Sequence, residues 1–133
     1  MHALVNVLIV DDDPDNADSL AMLLRSAGYA AEAVYDGSRA LAAAQERCPR
    51  IVFIDAAMPK MDGFALARRL RQVPHMADAV IVCLTGFAGR DYQQKAREAG
   101  CDLFLPKPAS PEKLLHFVAS VAAGRRPAAS GRP

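Results

Sequence analysis

The sequence predicts an α/β domain: a parallel sheet with helices on both faces. Five short apolar runs alternate at even intervals with segments of helical period, the pattern of strands joined by right-handed crossovers. The runs are strand-sized and largely unbroken by polar residues, as strands buried on both faces must be. Four of them lead straight into polar side chains: Asp11, Asp12 and Asp13 after residues 7–10, Asp55 after 51–54, Thr85 after 80–84 and Lys107 after 103–105. A buried parallel strand delivers whatever follows it to one rim of the sheet, so carboxylates, a hydroxyl and an ammonium are expected to converge there.

Residues 4–10 read as the first strand. The first helix is expected to begin at Pro14, a favourable first-turn residue, with Asp13 as its cap. Ala17, Leu20, Leu23, Leu24 and Ala27 recur at helical spacing, and Gly28 ends it. Residues 30–35 form the second strand, and the Asp36-Gly37 turn leads into a helix over 38–47 that Pro49 stops. The third strand, 51–54, is followed by a helix over 63–72, capped by Asp62, with Phe64, Leu66, Ala67 and Leu70 turned inward. After the strand at 80–84, the helix over 90–99 is nearly all polar. Tyr92, Ala96 and Ala99 give it only a thin apolar stripe, so it is expected to be the least firmly docked. The strand at 102–105 precedes a helix over 111–123 that turns Leu114, Phe117, Val118 and Val121 to the sheet. A weaker stripe is formed by Leu115, Ala119 and Ala122. One domain, 1–123, accounts for all of this; residues 124–133 have no apolar period and are expected to be a disordered tail.

The composition is that of an ordinary globular chain, and a formal net charge of +1 gives no global reason to bind nucleic acid or a membrane surface. Cys48, Cys83 and Cys101 lack metal-site spacing and read as small core hydrophobes. No apolar stretch is long enough to span a bilayer, and Met1-His2-Ala3-Leu4 lacks the form of a secretory signal. The cytoplasm is therefore the expected location. His2, His75 and His116 are scattered and read as surface or half-buried histidines.

Asp11, Asp12 and Asp55 would meet where the winding order of the sheet reverses. Three close carboxylates repel one another unless a cation sits between them, and Mg²⁺, a hard ion that wants oxygen ligands, suits such a site. With no His or Cys in these segments, zinc is not indicated. A carboxylate-held metal beside a free Asp and a Lys is equipment for phosphoryl transfer. Asp55, the lone acid at the end of the central strand, is the candidate nucleophile. Lys107 would balance the arriving charge, and Thr85 would donate a hydrogen bond to it. The Gly-bearing segment at 85–89 lacks a nucleotide-binding pattern.

Val10-Asp11-Asp12-Asp13-Pro14, the stretch from Asp55 through Met58-Pro59 to Asp62-Gly63, Leu84-Thr85-Gly86 and Phe104-Leu105-Pro106-Lys107-Pro108 together closely resemble the receiver (CheY-like) domain of two-component response regulators. The resemblance covers residues 4–123. It implies a flavodoxin-like, doubly wound, five-stranded sheet of order 2-1-3-4-5 with five helices. Asp55 would be the phosphoacceptor, fed by a phosphohistidine on a sensor histidine kinase or a histidine phosphotransfer protein. By the same pattern Asp12 would bind Mg²⁺ directly and Asp11 largely through water, with the backbone carbonyl of Ala57 completing the set. The Lys107-Pro108 bond would be cis. Thr85 and Phe104 would form the switch pair, read out on the face built from the fourth helix, fifth strand and fifth helix. The implied protein catalyses only its own phosphorylation and dephosphorylation; with a chain that starts at Met1 and ends in a tail it is expected to stand alone and to act through an unidentified downstream protein, with no direct contact to nucleic acid or membrane. The alternatives are a receiver excised from a hybrid histidine kinase, an interaction scaffold whose acceptor goes unused, and an aspartyl phosphatase. The last usually wants a second acid where Ala57 stands.

Phe104 replaces the commoner Tyr of the family, so the switch ring has no hydroxyl to bond. Ala57, two residues past the acceptor, and Phe87, two past Thr85, are apolar where receivers often carry polar side chains that orient the hydrolytic water. Self-dephosphorylation is accordingly predicted to be slow. Intact-mass measurements after removal of the phosphodonor test this, and a phospho-form that decays within seconds would contradict it.

Overall fold

The computed structural model describes residues 6–56, 62–86, 90–107 and 109–124, with main chain alone at 90–92. The chain alternates strand and helix throughout: β1 (Asn6–Val10), α1 (Pro14–Ser26), β2 (Ala30–Val34), α2 (Gly37–Arg47), β3 (Ile51–Asp55), α3 (Gly63–Gln72), β4 (Val80–Thr85), α4 (Arg90–Glu98), β5 (Leu103–Pro106) and α5 (Pro111–Ala122). All four pairings are parallel, in the order β2-β1-β3-β4-β5. This is the expected doubly wound, flavodoxin-like order, with its reversal between β1 and β3.

Strand periodicity of two divides the core into halves. Leu8, Val10, Val52, Ile54, Ile81 and Cys83 face the side covered by α2, α3 and α4. Val7, Ile9, Ile51, Phe53, Val80 and Val82 face the side covered by α1 and α5, where the ring of Phe117 meets that of Phe53 edge to face at 6.2 Å. Both layers are apolar enough to bury β3 completely. At about 25 cal/mol per Å² of apolar surface, this burial is the main term holding the rim residues in place.

Four helices start on side-chain caps, of which Asp13 and Asp62 were expected and Asp36 and Ser110 were not. Asp13 accepts from the Asp15 amide at 3.0 Å, Asp36 from Arg39 at 2.8 Å, Asp62 from Phe64 at 3.0 Å and Ser110 from Lys113 at 3.1 Å. Each cap contributes about 1 kcal/mol. At the far end of α1, Gly28 adopts φ +98° and the Tyr29 amide returns to the Leu24 carbonyl at 3.0 Å, closing the helix as expected.

Some expectations are corrected. β3 and β4 run one residue further than predicted, because Asp55 and Thr85 still pair through their main chains with Leu84 and Pro106 even though their side chains are polar. β5 starts one residue later and α4 and α5 each end one residue earlier than predicted. Cys83 and Cys101 are buried, but Cys48 is exposed: it closes α2 in the left-handed conformation, φ 48°, past the helix's buried face. His75 and His116 are both exposed. Tyr92's side chain and residues 125–133 lie outside the described residues; Ala96 and Ala99 are buried as expected.

At the edge of the sheet opposite the polar rim, Arg71 in the last turn of α3 binds two segments at once, residues 76–79 and 100–102. Its Nε and Nη2 donate to the Gly100 carbonyl at 2.9 and 2.8 Å. Nη1 reaches the carbonyls of Met76, Ala77 and Ala79 at 3.1, 3.1 and 2.6 Å, and Nη2 pairs with Asp102 Oδ2 at 2.6 Å. The same carboxylate oxygen accepts from the Ile81 amide at 2.9 Å. Removing the guanidinium would strand the half-buried Asp102 carboxylate and several carbonyls. Arg71→Ala is therefore predicted to lower unfolding stability by roughly 2–4 kcal/mol in urea titrations. Arg71→Lys should restore only part of it, since an ammonium lacks the planar fork.

Candidate functional site

The polar rim forms where β1, β3 and β4 end and just beyond β5. Asp11 follows β1 directly, and its amide donates to the Val34 carbonyl of β2 at 3.2 Å. Asp55 closes β3, and the next amide, of Ala56, donates to the Leu84 carbonyl at 2.9 Å. Thr85 closes β4, and its carbonyl accepts from the Lys107 amide at 2.7 Å, which fixes the start of the segment after β5. Parallel pairing in unbroken register thus brings together residues far apart in the chain.

Asp11, Asp12 and Asp55 each offer a carboxylate oxygen, and these lie within 4.8 Å of one another. Asp11 and Asp55 are only 5 % and 6 % exposed, whereas Asp12 faces solvent. Lys107 reaches into the cluster, with Nζ 3.1 Å from Asp55 Oδ2 and 3.8 Å from Asp11 Oδ2. The Asp13 amide donates to Asp11 Oδ1 at 3.0 Å, so Asp13 contributes its main chain here and its side chain to the cap of α1. Burial pushes the Asp11 carboxyl up to about 6, and the charge of Asp55 and a hydrogen bond with it push the same way. The Asp13 amide and Lys107 pull against them. Among the described residues, Lys107 is the cation paired with both buried carboxylates.

Thr85 is fully buried. Its place in the alternation of β4 puts it on the same side as Ile81 and Cys83, and that is the side on which Phe104 packs, opposite Cys83 in the register. The two residues of the expected switch pair therefore share the face covered by α4. Asp11, Asp12, Asp55 and Lys107 come together as the sequence suggested. Ala57, Phe87 and Pro108, and with Pro108 the expected cis bond, lie outside the described residues.

A groove of about 630 Å³ opens beside the cluster between α1 and α5. Asp11 and Lys107 line one end, and Leu20, Leu23, Leu84 and Leu114 its apolar wall. Asn16 and Ser19 also line it. They were not singled out in the sequence, although their spacing of three places both on one face of α1. Among the described residues no helix is long and apolar enough to cross a membrane.

The DNA-binding dual master transcriptional regulator RpaA of Synechocystis is 33% identical to this chain over 109 residues, which cover 82% of this chain and 45% of RpaA. The chain spans less than half the length of most of the relatives it matches. Among solved structures, chemotaxis protein CheY4 of Vibrio cholerae is similar with a TM-score of 0.85 and 32% identity, covering 90% of this chain and 99% of CheY4. A response regulator protein from Burkholderia pseudomallei, with a phosphorylated aspartic acid, calcium ion and citrate, gives a TM-score of 0.79 and 29% identity, covering 90% of this chain and 69% of its own. The sequence pattern of the response regulator receiver domain matches residues 7–119, and the chain belongs to that family.

Proposed function

We propose that the chain is a phosphorelay receiver of the cytoplasm in which Asp55 accepts a phosphoryl group from a phosphohistidine on a sensor histidine kinase or a histidine phosphotransfer protein. The observation that carries this reading is the carboxylate cluster at the rim with Lys107 Nζ 3.1 Å from Asp55 Oδ2. An oxygen of Asp55 attacks phosphorus as the P–N bond to the donor imidazole breaks, and the bonding pair leaves with the imidazole nitrogen. Lys107 holds the acceptor carboxylate in place and balances the charge of the acyl phosphate. The Thr85 hydroxyl donates to a phosphoryl oxygen. The groove between α1 and α5, apolar with Asp11 and Lys107 at one end, gives a donor helix access to the cluster.

The donor set fits Mg²⁺: clustered carboxylate oxygens, two of them from side chains that are nearly buried. Asp11, Asp12, Asp55 and the Ala57 carbonyl would hold it. When bound, it neutralises charge on the phosphoryl oxygens.

Movement of Thr85 toward the phosphoryl group and inward turning of Phe104 would alter the face of α4, β5 and α5, to which an unidentified downstream protein binds. The chain catalyses no other turnover than its own phosphorylation and dephosphorylation, and needs no direct contact with nucleic acid or membrane.

Treated with acetyl phosphate and Mg²⁺, the wild type is predicted to gain the mass of one phosphoryl group and Asp55→Asn none. No gain in the wild type, or an equal gain in the variant, would refute the assignment. Lys107→Ala should slow the gain by about 100-fold, the usual cost of losing one preorganised charge partner.

The Asp11 carboxyl titrates at about 6 in the folded chain against an ordinary 3.8, so folding favours its protonated form. That contribution is complete below pH 3.8 and is lost as the pH rises through about 6. Asp11→Asn cannot ionise there and is predicted to raise the melting temperature of the metal-free protein by a few degrees near neutral pH, and not at pH values below the ordinary carboxylate range. Saturating Mg²⁺ should raise the wild type's melting temperature and have little effect on the variant. Calorimetric scans with and without Mg²⁺ measure both.

A further inference from the structure

We infer that Gly63 is a positioning residue for the acceptor, its missing side chain allowing α3 to seat directly on the main chain at Asp55 and Ala56; this rests on the receiver reading above. Gly63 is the first residue of α3 and is buried. A Cβ there would lie 2.8 Å from the Asp55 carbonyl oxygen, 2.8 Å from Ala56 Cα and 3.1 Å from Ile54 Cγ2. Two of these three are main-chain atoms, which cannot rotate aside. Gly63 does not have a positive φ, so glycine is required here for space and not for conformation.

The opposite side of the same peptide is held by β4, through the Ala56 amide on the Leu84 carbonyl at 2.9 Å. The main chain at 55–56 is thus gripped between a strand and the first turn of a helix. That turn is itself fixed. The Asp62 side chain accepts from the Phe64 amide at 3.0 Å, the Asp62 carbonyl accepts from Leu66 at 3.0 Å, and Phe64 packs in the same core as Ile54 and Ala56. An alanine at 63 would have to push the strand end away. The Asp55 carboxylate, one short side chain from this seat, would move relative to Lys107, Asp11 and Asp12, and the following peptide would tilt with it. A displacement of this kind reduces rate without removing any reacting group.

The test is phosphoryl uptake from acetyl phosphate by the full chain, read by intact mass at saturating Mg²⁺ over a range of donor concentration. Gly63→Ala should lower the rate at saturating donor by about 10-fold or more, leave the half-saturating donor concentration nearly unchanged, and weaken Mg²⁺ binding in calorimetry. Leu70→Ala, a cavity-forming change two turns along the same helix, should cost stability and keep the saturated rate. An unchanged rate in Gly63→Ala, or equal slowing in the two variants while both remain folded, would overturn the inference. If Gly63→Ala melts below the assay temperature, Ala56→Gly loosens the same seat without adding an atom. It too must slow the saturated rate, and full activity would overturn the inference. If the wild type takes up no phosphoryl group, the receiver reading fails instead. The Mg²⁺ affinities then decide alone, and equal affinity in wild type and Gly63→Ala counts against positioning.

Discussion

Crowding of the carboxylates of Asp11, Asp12 and Asp55 within 4.8 Å is the constraint to which the rest of the structure answers. Like charges at that separation, two of them nearly out of water, oppose the fold that creates them. Lys107 offsets part of the repulsion, while burial first and the charge of Asp55 second raise the pKa of Asp11. A flexible scaffold would let the carboxylates drift apart. Holding them takes a strand buried on both faces, and β3, with every residue buried, supplies the central one.

The two halves of the core contribute unequally to that rigidity. On the side of α1 and α5, branched strand residues and the Phe53–Phe117 pair meet helices with full apolar stripes. On the other side, among the described side chains, α4 and the residue after it bring Ala96 and Ala99 to the core. The C-terminal end of α4 is secured by polar means. The Cys101 amide returns to the Ala96 carbonyl at 2.9 Å, Gly100 takes φ +98°, and Arg71 grips the Gly100 carbonyl. A Cβ at Gly100 would lie 2.9 Å from Arg71 Cγ, so the turn and the clamp require each other.

Legibility in the sequence followed the physics of each feature. The alternation of strands and helices, two of the caps and the rim residues were readable because each depends on local pattern: Asp13 and Asp62 sit directly before apolar periods, and Asp11, Asp55 and Thr85 directly after apolar runs, whereas the strand order came from the resemblance to receivers. The exposure of Cys48 was not readable, because residue type favours burial while position relative to the helix's buried face decides it. Nor was Arg71. In sequence it is one of several arginines on a polar face, and its partners lie up to 31 positions away. Gly63 was visible as part of a motif, but its reason was not, since a glycine needed for space looks the same in sequence as one needed for a turn.

The separation of the two polar constellations follows from how a parallel sheet is built. Every strand points its carboxyl end the same way, so one rim gathers the residues that follow strands and the other gathers those that precede them. At the first rim these residues include three acids, Asp11, Asp12 and Asp55, with Lys107 among them. At the second, the residues before β4 and β5 present carbonyls and one acid, Asp102, and a single arginine satisfies them together. Chain direction alone therefore assigns the carboxylate cluster to one end of the sheet and the arginine clamp to the other.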